Sequence, residues 1–439
     1  MSHYRQRTVI AEAPNGTLAC PDGHLPVTPE AARTRATAIQ PPAPLNYCAY
    51  RNRHSLPGSR GVAMTDPDRA DAATADGPGR GERAEVVVIG GGMIGLSIAA
   101  HLAEDGRDTL LLERGELGSG ASRATADVVR TYFGGDPAGS RLAVRSLASY
   151  RRRGVPLRQA GYLVLFTEDE QIEAFEAELA EQCDAGVRVE LIDADEARRR
   201  NPLVHEPSLK AAAWSPDAYV SDTRRIVAAF ERAARRAGAR LRTGRPATGI
   251  DLPAGTVTTP DGDVTARTIV CAAGPWSSWI IDAAGVRAPL AEPAVQELLG
   301  TGPLPGVPDI PVTLHAASRL LIRKRGDGLL IGMGSPGPDR RQWLDQATAQ
   351  LARTYPSVDL TGLHTAVTGP RDGSPDRTAL FGRRPGATEF LYATGFSGHG
   401  LCQAPAAGEL VRALFRGDDL SDFGVGADGL AASPASDPS

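Results

Sequence analysis

Three glycines and one acidic residue carry the clearest chemical signal in the chain. Gly90, Gly92 and Gly95 have the spacing GxGxxG, and Glu113 ends the next apolar run. The first glycine of this pattern permits a tight turn, the second lets the backbone approach a pyrophosphate, and the third lets a helix pack closely on a strand. An acidic residue placed like Glu113 accepts a hydrogen bond from a ribose hydroxyl. The pattern therefore predicts a dinucleotide site for FAD or NAD, while the negative charge of Glu113 disfavours the 2′-phosphate of NADP.

The elements that must position these residues can be predicted from the apolar spacing around them. The run Glu85–Gly90 is typical of a buried parallel strand, Met93–Glu104 has helical spacing, and Thr109–Leu112 is a second strand, which together make a βαβ unit. The same criteria predict further strands at 162–166, 268–273, 319–322, 328–331 and 391–393, and helices at 168–182, 222–237, 342–355 and 400–415.

Four segments give the chain a family resemblance. They are GGGMIG with Glu113 and GSGAS (Gly118–Ser122), CAAGPWS (Cys271–Ser277), TGPRDGSPDRTALFGRRPG (Thr368–Gly386) and ATGFSGHGLCQAPAAGELV (Ala393–Val411). From about Ala84 to Gly417 the chain resembles the D-amino-acid-oxidase superfamily of flavoproteins, most nearly its glycine oxidase and sarcosine oxidase branch. The resemblance implies FAD rather than NAD. It also implies an α/β fold in which a Rossmann-like FAD-binding domain of the glutathione-reductase type accompanies a second, α+β substrate domain with an antiparallel sheet.

The resemblance also indicates which residues bind the cofactor. The fourth segment has a physical reason of its own, because its glycines permit a turn close to a flat ring and the following helix points its N-terminal N–H groups at the cofactor. The predicted FAD-binding residues are Gly90, Gly91, Gly92, Met93, Ile94, Gly95, Glu113, Arg114, Ser119, Gly120, Ala121, Ser122, Ala247, Ala273, Gly274, Trp276, Gly395, Phe396, Ser397, Gly398, His399, Gly400 and Leu401.

Three residues are candidates for contact with the substrate. Arg371 matches the glycine oxidase position, and Arg130 the sarcosine oxidase position, at which an arginine holds a substrate carboxylate. The planar guanidinium suits this task because it meets a carboxylate with two N–H donors. His399 lies in the flavin-facing turn and could bond substrate or flavin, or only hold the loop.

The resemblance implies oxidation of a C–N bond in an amino acid or secondary amine by hydride transfer to flavin N5. The products are an imine and a reduced flavin that O2 reoxidises to give H2O2. Two alternatives stay open: a dehydrogenase with another electron acceptor, and a non-catalytic flavin-binding assembly protein.

Departures from the family pattern refine this expectation. Thr368, Gly369 and Pro370 occupy the region where sarcosine oxidases carry the cysteine that attaches flavin, and residues 119–124 contain no histidine for such a bond. Noncovalent FAD is therefore expected. The oxygen-activating lysine of sarcosine oxidase is replaced near Leu330, which leaves the electron acceptor open. A carboxylate-binding lysine is replaced by Cys402, which argues against a sarcosine-like substrate geometry.

The expected domain organisation alternates along the chain. Residues 1–83 are expected to be a disordered N-terminal extension, with Met64 as a candidate natural start, and residues 424–439 a loose tail. The FAD-binding domain is expected at 84–160, 205–285 and 366–423, and the substrate domain at 161–204 and 286–365.

The amino-acid composition limits which binding partners and which cellular compartment are expected. A formal net charge of −4 gives no reason to expect nucleic acid or an anionic membrane. The five cysteines are widely spaced without a CxxC pair, so neither a metal site nor a disulfide framework is expected. Neither a transmembrane run nor a secretory signal is recognisable, and a cytoplasmic protein is expected. The expected partners are a small amine or amino-acid substrate and O2 or another acceptor; the oligomeric state stays open.

Overall fold

Short apolar runs and amphipathic segments alternate over residues 81–424, the part of the chain that the structure, a computed structural model, describes. The strands are β1 (Glu82–Ile89), β2 (Thr109–Leu112), β3 (Val128–Arg130), β4 (Arg158–Gln159), β5 (Tyr162–Phe166), β6 (Glu190–Asp193), β7 (Ala211–Ser215), β8 (Ala218–Val220), β9 (Arg240–Arg242), β10 (Gly249–Asp251), β11 (Thr256–Thr258), β12 (Val264–Cys271), β13 (Ala294–Gly300), β14 (Val312–His315), β15 (Leu320–Arg325), β16 (Gly328–Met333), β17 (His364–Arg371), β18 (Leu380–Arg384) and β19 (Glu389–Thr394). The helices are α1 (Met93–Glu104), α2 (Pro137–Arg152), α3 (Asp169–Asp184), α4 (Ala194–Arg200), α5 (Thr223–Arg236), α6 (Ser277–Ala283), α7 (Arg340–Thr354) and α8 (Gly400–Arg416).

The first sheet brings distant segments of the sequence to one edge. Strands β9, β2, β1, β12 and β19 lie side by side and parallel, with β18 antiparallel to β19 and the β10–β11 pair alongside β12. In this register Ile89 pairs with Cys271, and Cys271 with Tyr392. Because parallel strands end at the same edge of a sheet, the segments that follow these three residues meet there.

The second sheet is mostly antiparallel, in the order β17-β13-β16-β15-β14-β5-β7-β6, and only the β14–β5 pair is parallel. A small third sheet joins β3, β8 and β4. This arrangement confirms the predicted fold class: a Rossmann-like α/β unit together with a second antiparallel sheet.

Two details differ from the expected domain division. Strand β1 begins at Glu82 rather than Ala84, because the carboxylate of Glu82 forms ion pairs with Arg240, Arg242 and Arg245 and holds the strand start in place. Strand β7 pairs with β5 and β6 in the second sheet, although residues 205–285 are expected in the FAD-binding domain. The division into domains otherwise stays a prediction. The expectations for the N-terminal extension up to residue 80, the start at Met64 and the tail from residue 425 lie outside the described residues.

Helix α8 contains Pro405, which has no N–H to donate to the carbonyl of Leu401. The hydroxyl of buried Tyr150 donates to that carbonyl instead, at 2.6 Å, and the next backbone N–H, of Ala406, donates to Oγ of Ser146 at 3.0 Å. Both partners lie on α2, so α2 supplies the hydrogen bonding that the proline disrupts. The helix therefore continues to the edge of the first sheet where the distant segments meet.

Helices α1 and α8 pack very closely at Gly408. A Cβ atom at this position would lie 2.4 Å from Oγ of Ser97 and 2.5 Å from Nδ1 of His101. Only glycine allows this approach, and Ala99, Ala100, Ala406 and Ala407 complete the contact from both helices as fully buried residues. Within residues 81–424 no helix is long and apolar enough to cross a membrane.

Candidate functional site

A cavity of about 1090 Å³ extends from the carboxyl edge of the first sheet to the second sheet. Most of the residues predicted to bind FAD line it: Gly90, Gly92, Met93, Ile94, Glu113, Arg114, Ser119, Gly120, Ala121, Ser122, Ala247, Ala273, Gly274, Trp276, Phe396, Ser397, Gly398, His399, Gly400 and Leu401. Gly91, Gly95 and Gly395 are not on its wall. These three glycines instead belong to the backbone turns that border the cavity, after β1 and before α8.

The glycine turn after β1 depends on missing side chains. Gly90 has φ of +111°, and a Cβ there would lie 2.4 Å from the carbonyl oxygen of Ala272, the residue that follows the neighbouring strand β12. A Cβ on Gly95 would lie only 1.9 Å from the carbonyl oxygen of Gly90. Gly95 therefore lets α1 start directly against the turn, which leaves the N-terminus of the helix facing the cavity.

Glu113 and Ser122 give this end of the cavity its hydrogen-bonding groups. Oε2 of Glu113 accepts from the N–H of Gly91 at 2.6 Å, and Oε1 accepts from the N–H of Gly115 at 2.7 Å. Each carboxylate oxygen keeps a lone pair that can accept from a ribose hydroxyl. The N–H of Met93, in the first turn of α1, donates to Oγ of Ser122 at 3.0 Å. A cradle free of Cβ atoms, a helix N-terminus and an oriented carboxylate fit the pyrophosphate and ribose of FAD.

Arg114 and Trp276 form a stacked pair at the same end. The guanidinium carbon of Arg114 lies 3.5 Å from the ring centroid of Trp276, whose indole is 36% exposed. Burial lowers the pKa of Arg114. A cation on an aromatic face makes a flat, electron-poor surface, which suits a stacked purine.

The second glycine turn is held by a buried carboxylate. Oδ2 of Asp372 accepts from the N–H of Gly395 at 2.9 Å and of Phe396 at 3.3 Å, and burial raises the pKa of this acid. Ser397 takes a left-handed conformation with φ of +54°, and its Oγ accepts from the N–H of Ser374 at 3.2 Å. These bonds aim the first turn of α8 at the cavity.

His399 occupies the N-terminal end of α8 and is kept neutral. Its ring lies 4.6 Å from that of Phe133, and its buried Nδ1 has no hydrogen-bond partner among residues 81–424. Burial first, and then the charges of Arg130, Arg371 and Arg319, lower the pKa of His399 to about 3. A neutral imidazole can donate one hydrogen bond and accept another, but it adds no positive charge near neutral pH.

The two predicted arginines reach the cavity from different elements. Arg371, at the end of β17, donates from Nη2 to Oγ of Ser335 at 3.0 Å, while its buried Nε lacks a partner among residues 81–424. Arg130, at the end of β3, stacks on Phe133 at 3.7 Å and donates to the carbonyl of Tyr132. The structure thus brings Arg130, Arg371 and His399 to one end of the cavity, and their contact with a substrate stays a prediction.

Sequence reasoning missed several residues of this end. Arg319 lines the cavity from the turn before β15, where the sequence suggested only the start of a strand. Tyr162 and Phe175 pack against Tyr132, whose hydroxyl donates to Oε1 of Glu178 at 2.9 Å. The turn before the predicted strand at 319 could have singled out Arg319, but nothing in the sequence pairs Tyr132 with Glu178.

The lysine replacements can now be located. Cys402 lines the cavity, and its Sγ accepts from the N–H of Arg130 and donates to the carbonyl of Val128. Leu330 is buried in β16 away from the cavity wall. The two lysines of the chain, Lys210 and Lys324, also lie elsewhere.

The comparisons with known proteins agree with this geometry. Residues 85–414 match the model of the family DAO, FAD dependent oxidoreductase. The chain is 28% identical to glycine oxidase from Bacillus licheniformis over 77% of this chain and 95% of that protein. It is 27% identical to mitochondrial dimethylglycine dehydrogenase from Mus musculus over 84% of this chain but only 46% of that protein. The chain thus spans less than half the length of that dehydrogenase.

A solved structure shares the fold closely. The L-proline dehydrogenase from P.horikoshii superposes with a TM-score of 0.71 at 28% identity, covering 77% of this chain and 95% of that one.

Proposed function

We propose that this chain oxidises a C–N bond of an amino acid or secondary amine, because it belongs to the DAO family of FAD-dependent oxidoreductases. The observation that carries this proposal is a single cavity with the glycine turns of a dinucleotide site at one end and Arg371 and Arg130 at the other. Bound FAD would supply a two-electron acceptor for a hydride at the junction of the two ends.

Arg371 would bind the substrate carboxylate. Its Nε has no partner among residues 81–424 and its Nη2 holds only a neutral hydroxyl, so guanidinium donors are free for an anion. A fork of two parallel N–H donors fixes both the position and the orientation of a carboxylate. The carbon that carries the amine is thereby held at one place in the cavity.

The same surroundings would favour the neutral amine. The charges and burial that lower the pKa of His399 act in the same direction on a substrate ammonium, which would lose its proton to solvent on binding. Loss of a hydride from the carbon gives an iminium, in which the C=N bond has formed, and loss of one N–H proton from this iminium gives the imine. Water adds to this imine and releases a carbonyl compound together with ammonia from an amino acid with a primary amine, or with an amine from a secondary amine.

Substitution of Arg371 tests the carboxylate contact. Arg371→Met should weaken binding of amino-acid substrates by about 10- to 100-fold, since a charge-assisted hydrogen bond is lost, and should change binding of amines without a carboxylate far less. Anaerobic flavin reduction at rising substrate concentration gives both constants. Arg341→Met, at an exposed position of α7, is the control. An equal loss for both substrate types would rule out the carboxylate contact.

The identity of the electron acceptor distinguishes an oxidase from a dehydrogenase. Relatives of both kinds match the chain, and no lysine lines the cavity beside the turn of residues 395–401. H2O2 formation in air, compared with anaerobic turnover on a dye acceptor, distinguishes the two. A protein that retains FAD but shows no reduction with a broad amine and amino-acid panel would instead be the flavin-binding assembly protein.

We also propose noncovalent attachment of FAD. Thr368, Gly369 and Pro370 offer neither a thiol nor an imidazole at the end of β17, and the buried thiol of Cys402 has a raised pKa, which disfavours its reactive thiolate. Acid precipitation of the holoprotein should leave all flavin in the supernatant. Flavin that stays with the pellet would contradict noncovalent binding.

A further inference from the structure

Arg319 is a third arginine at the substrate end of the cavity. It lies in the turn between β14 and β15 and lines the cavity. Its φ is +59°, a left-handed conformation that is uncommon for residues with a side chain and is tolerated mainly by glycine, asparagine and aspartate. Its surroundings must therefore hold it there.

Hydrogen bonds on both sides of Arg319 fix this turn. The N–H of Arg319 donates to the carbonyl of His315 at 2.8 Å, and the N–H of Ser318 donates to Nδ1 of the same histidine at 3.1 Å. Nε2 of His315 lies 3.7 Å from Oε2 of Glu206, a fully buried carboxylate that Arg353 also binds. A strained residue fixed this firmly is the kind of outlier that points to function.

The charge of Arg319 adds to those of its neighbours. Arg319 contributes to lowering the pKa of both Arg371 and His399, after the larger effect of burial. Within residues 81–424 no carboxylate forms an ion pair with Arg130, Arg319 or Arg371. Arg319 is exposed to solvent, which screens part of its repulsion with Arg130 and Arg371 but leaves its N–H donors accessible to an anion bound among the three.

The acids on the cavity wall are engaged elsewhere. Asp372 still acts on Arg371 through its charge, but its Oδ2 is taken up by two backbone N–H groups and it offsets only that one arginine. Glu181 is exposed on α3. The remaining acids each accept from neutral donors: Glu113 from Gly91 and Gly115, Asp136 from Gly139, Glu178 from Tyr132, and Asp376 from Thr378. Within residues 81–424 none of these acids forms an ion pair with Arg319, so its guanidinium is available to a ligand.

We propose that the substrate carries two carboxylates, one bound by Arg371 and the second by Arg319. This inference rests on the proposed function, since it assumes that the cavity takes an amine bearing a carboxylate. The second carboxylate can belong to the side chain of an acidic amino acid or to a substituent on the nitrogen. Either source presents the same anion to Arg319.

The experiment compares ligands with one and two carboxylates on the holoenzyme. Anaerobic flavin reduction is followed with aspartate, glutamate and iminodiacetate, and with alanine and sarcosine as their one-carboxylate counterparts. Calorimetric titration with succinate and with butyrate measures binding without turnover. The variant is Arg319→Asn, because asparagine tolerates the left-handed backbone while removing the charge. Arg325→Asn, at an exposed position at the end of β15, the strand that follows Arg319, is the matched control.

We expect the wild type and the control to bind two-carboxylate ligands about 10- to 100-fold more tightly than one-carboxylate ligands. Arg319→Asn should lose this preference and leave one-carboxylate binding unchanged. Preference for aspartate and glutamate would identify a side-chain carboxylate, and preference for iminodiacetate an N-linked one.

Two results would overturn the inference. Flavin reduction by alanine or sarcosine, with no advantage for two-carboxylate ligands, would reject the role of Arg319 and leave the proposed function standing. Failure of every amine to reduce the flavin, with no binding of succinate, would reject both.

Discussion

At the Gly90–Glu113 end of the cavity the groups that face a ligand are mostly backbone N–H groups and one carboxylate, whereas at the Arg371 end they are long charged side chains. The shape of the first end depends on glycines, because Cβ atoms at position 90 or 95 would collide with the backbone. The second end is assembled from β3, β17 and the turn before β15, which meet only in the folded chain. The first end therefore tolerates little change, while the second can be altered one side chain at a time.

The strongest test of this contrast is Gly95→Ala. The added Cβ would lie 1.9 Å from the carbonyl oxygen of Gly90, so α1 must move away from the turn and FAD binding should be lost altogether. Visible flavin absorbance of the purified protein measures the loss, and circular dichroism checks the fold. Gly249→Ala is the control, because its Cβ would make only an ordinary contact of 3.5 Å with Thr258. Full flavin content in Gly95→Ala would contradict the claim that FAD binding requires a residue without a Cβ atom at this position.

The contrast also explains what sequence reasoning could achieve. Glycine spacing reflects backbone geometry directly, so the β1–α1–β2 unit was predicted to within three residues at each boundary and the α1 bounds were correct. The helix predicted over residues 222–237 was likewise correct to within one residue at each end, and Asp222 is the N-cap of α5. Arg319 was missed because its importance depends on the pairing of β14 with β15 and on Glu206, far away in sequence. Contacts between residues far apart in the sequence produce no characteristic residue spacing, so the sequence alone does not predict them.

A smaller effect is expected for Glu113→Gln. The amide keeps an acceptor oxygen, but it presents an NH2 group to one of the two N–H donors of Gly91 and Gly115 and removes the negative charge. FAD binding should weaken by about 10- to 100-fold, measured by titration of the apoprotein with FAD. Glu116→Gln, an exposed acid paired with Arg123, should bind FAD like the wild type. An unchanged dissociation constant in Glu113→Gln would remove Glu113 from the cofactor site.

The smallest effect concerns the arginine end and appears in the pH dependence of stability. The pKa of His399 is about 3 in the folded protein, against about 6.5 when unfolded, so its contribution to stability is complete above pH 6.5 and is lost as the pH falls towards 3. From pH 6.5 to 5 this amounts to at most about 2 kcal/mol. His399→Asn should lack this part of the acid destabilisation in urea unfolding at the two pH values, whereas His364→Asn, at an exposed position, should retain it. Identical pH dependence in wild type and His399→Asn would mean that the pKa of His399 is not lowered in the folded protein.

The close contact of α1 and α8 at Gly408 has a consequence for the whole cavity. Both helices begin on its wall, and Gly408 lies about 9 Å along α8 beyond Cys402, the last residue of this helix on the cavity wall. A single methyl group at this position would press on Ser97 and His101 and wedge the two helices apart. Gly408 therefore sets the distance between the two glycine turns. This distance determines the length of a ligand that can contact both turns.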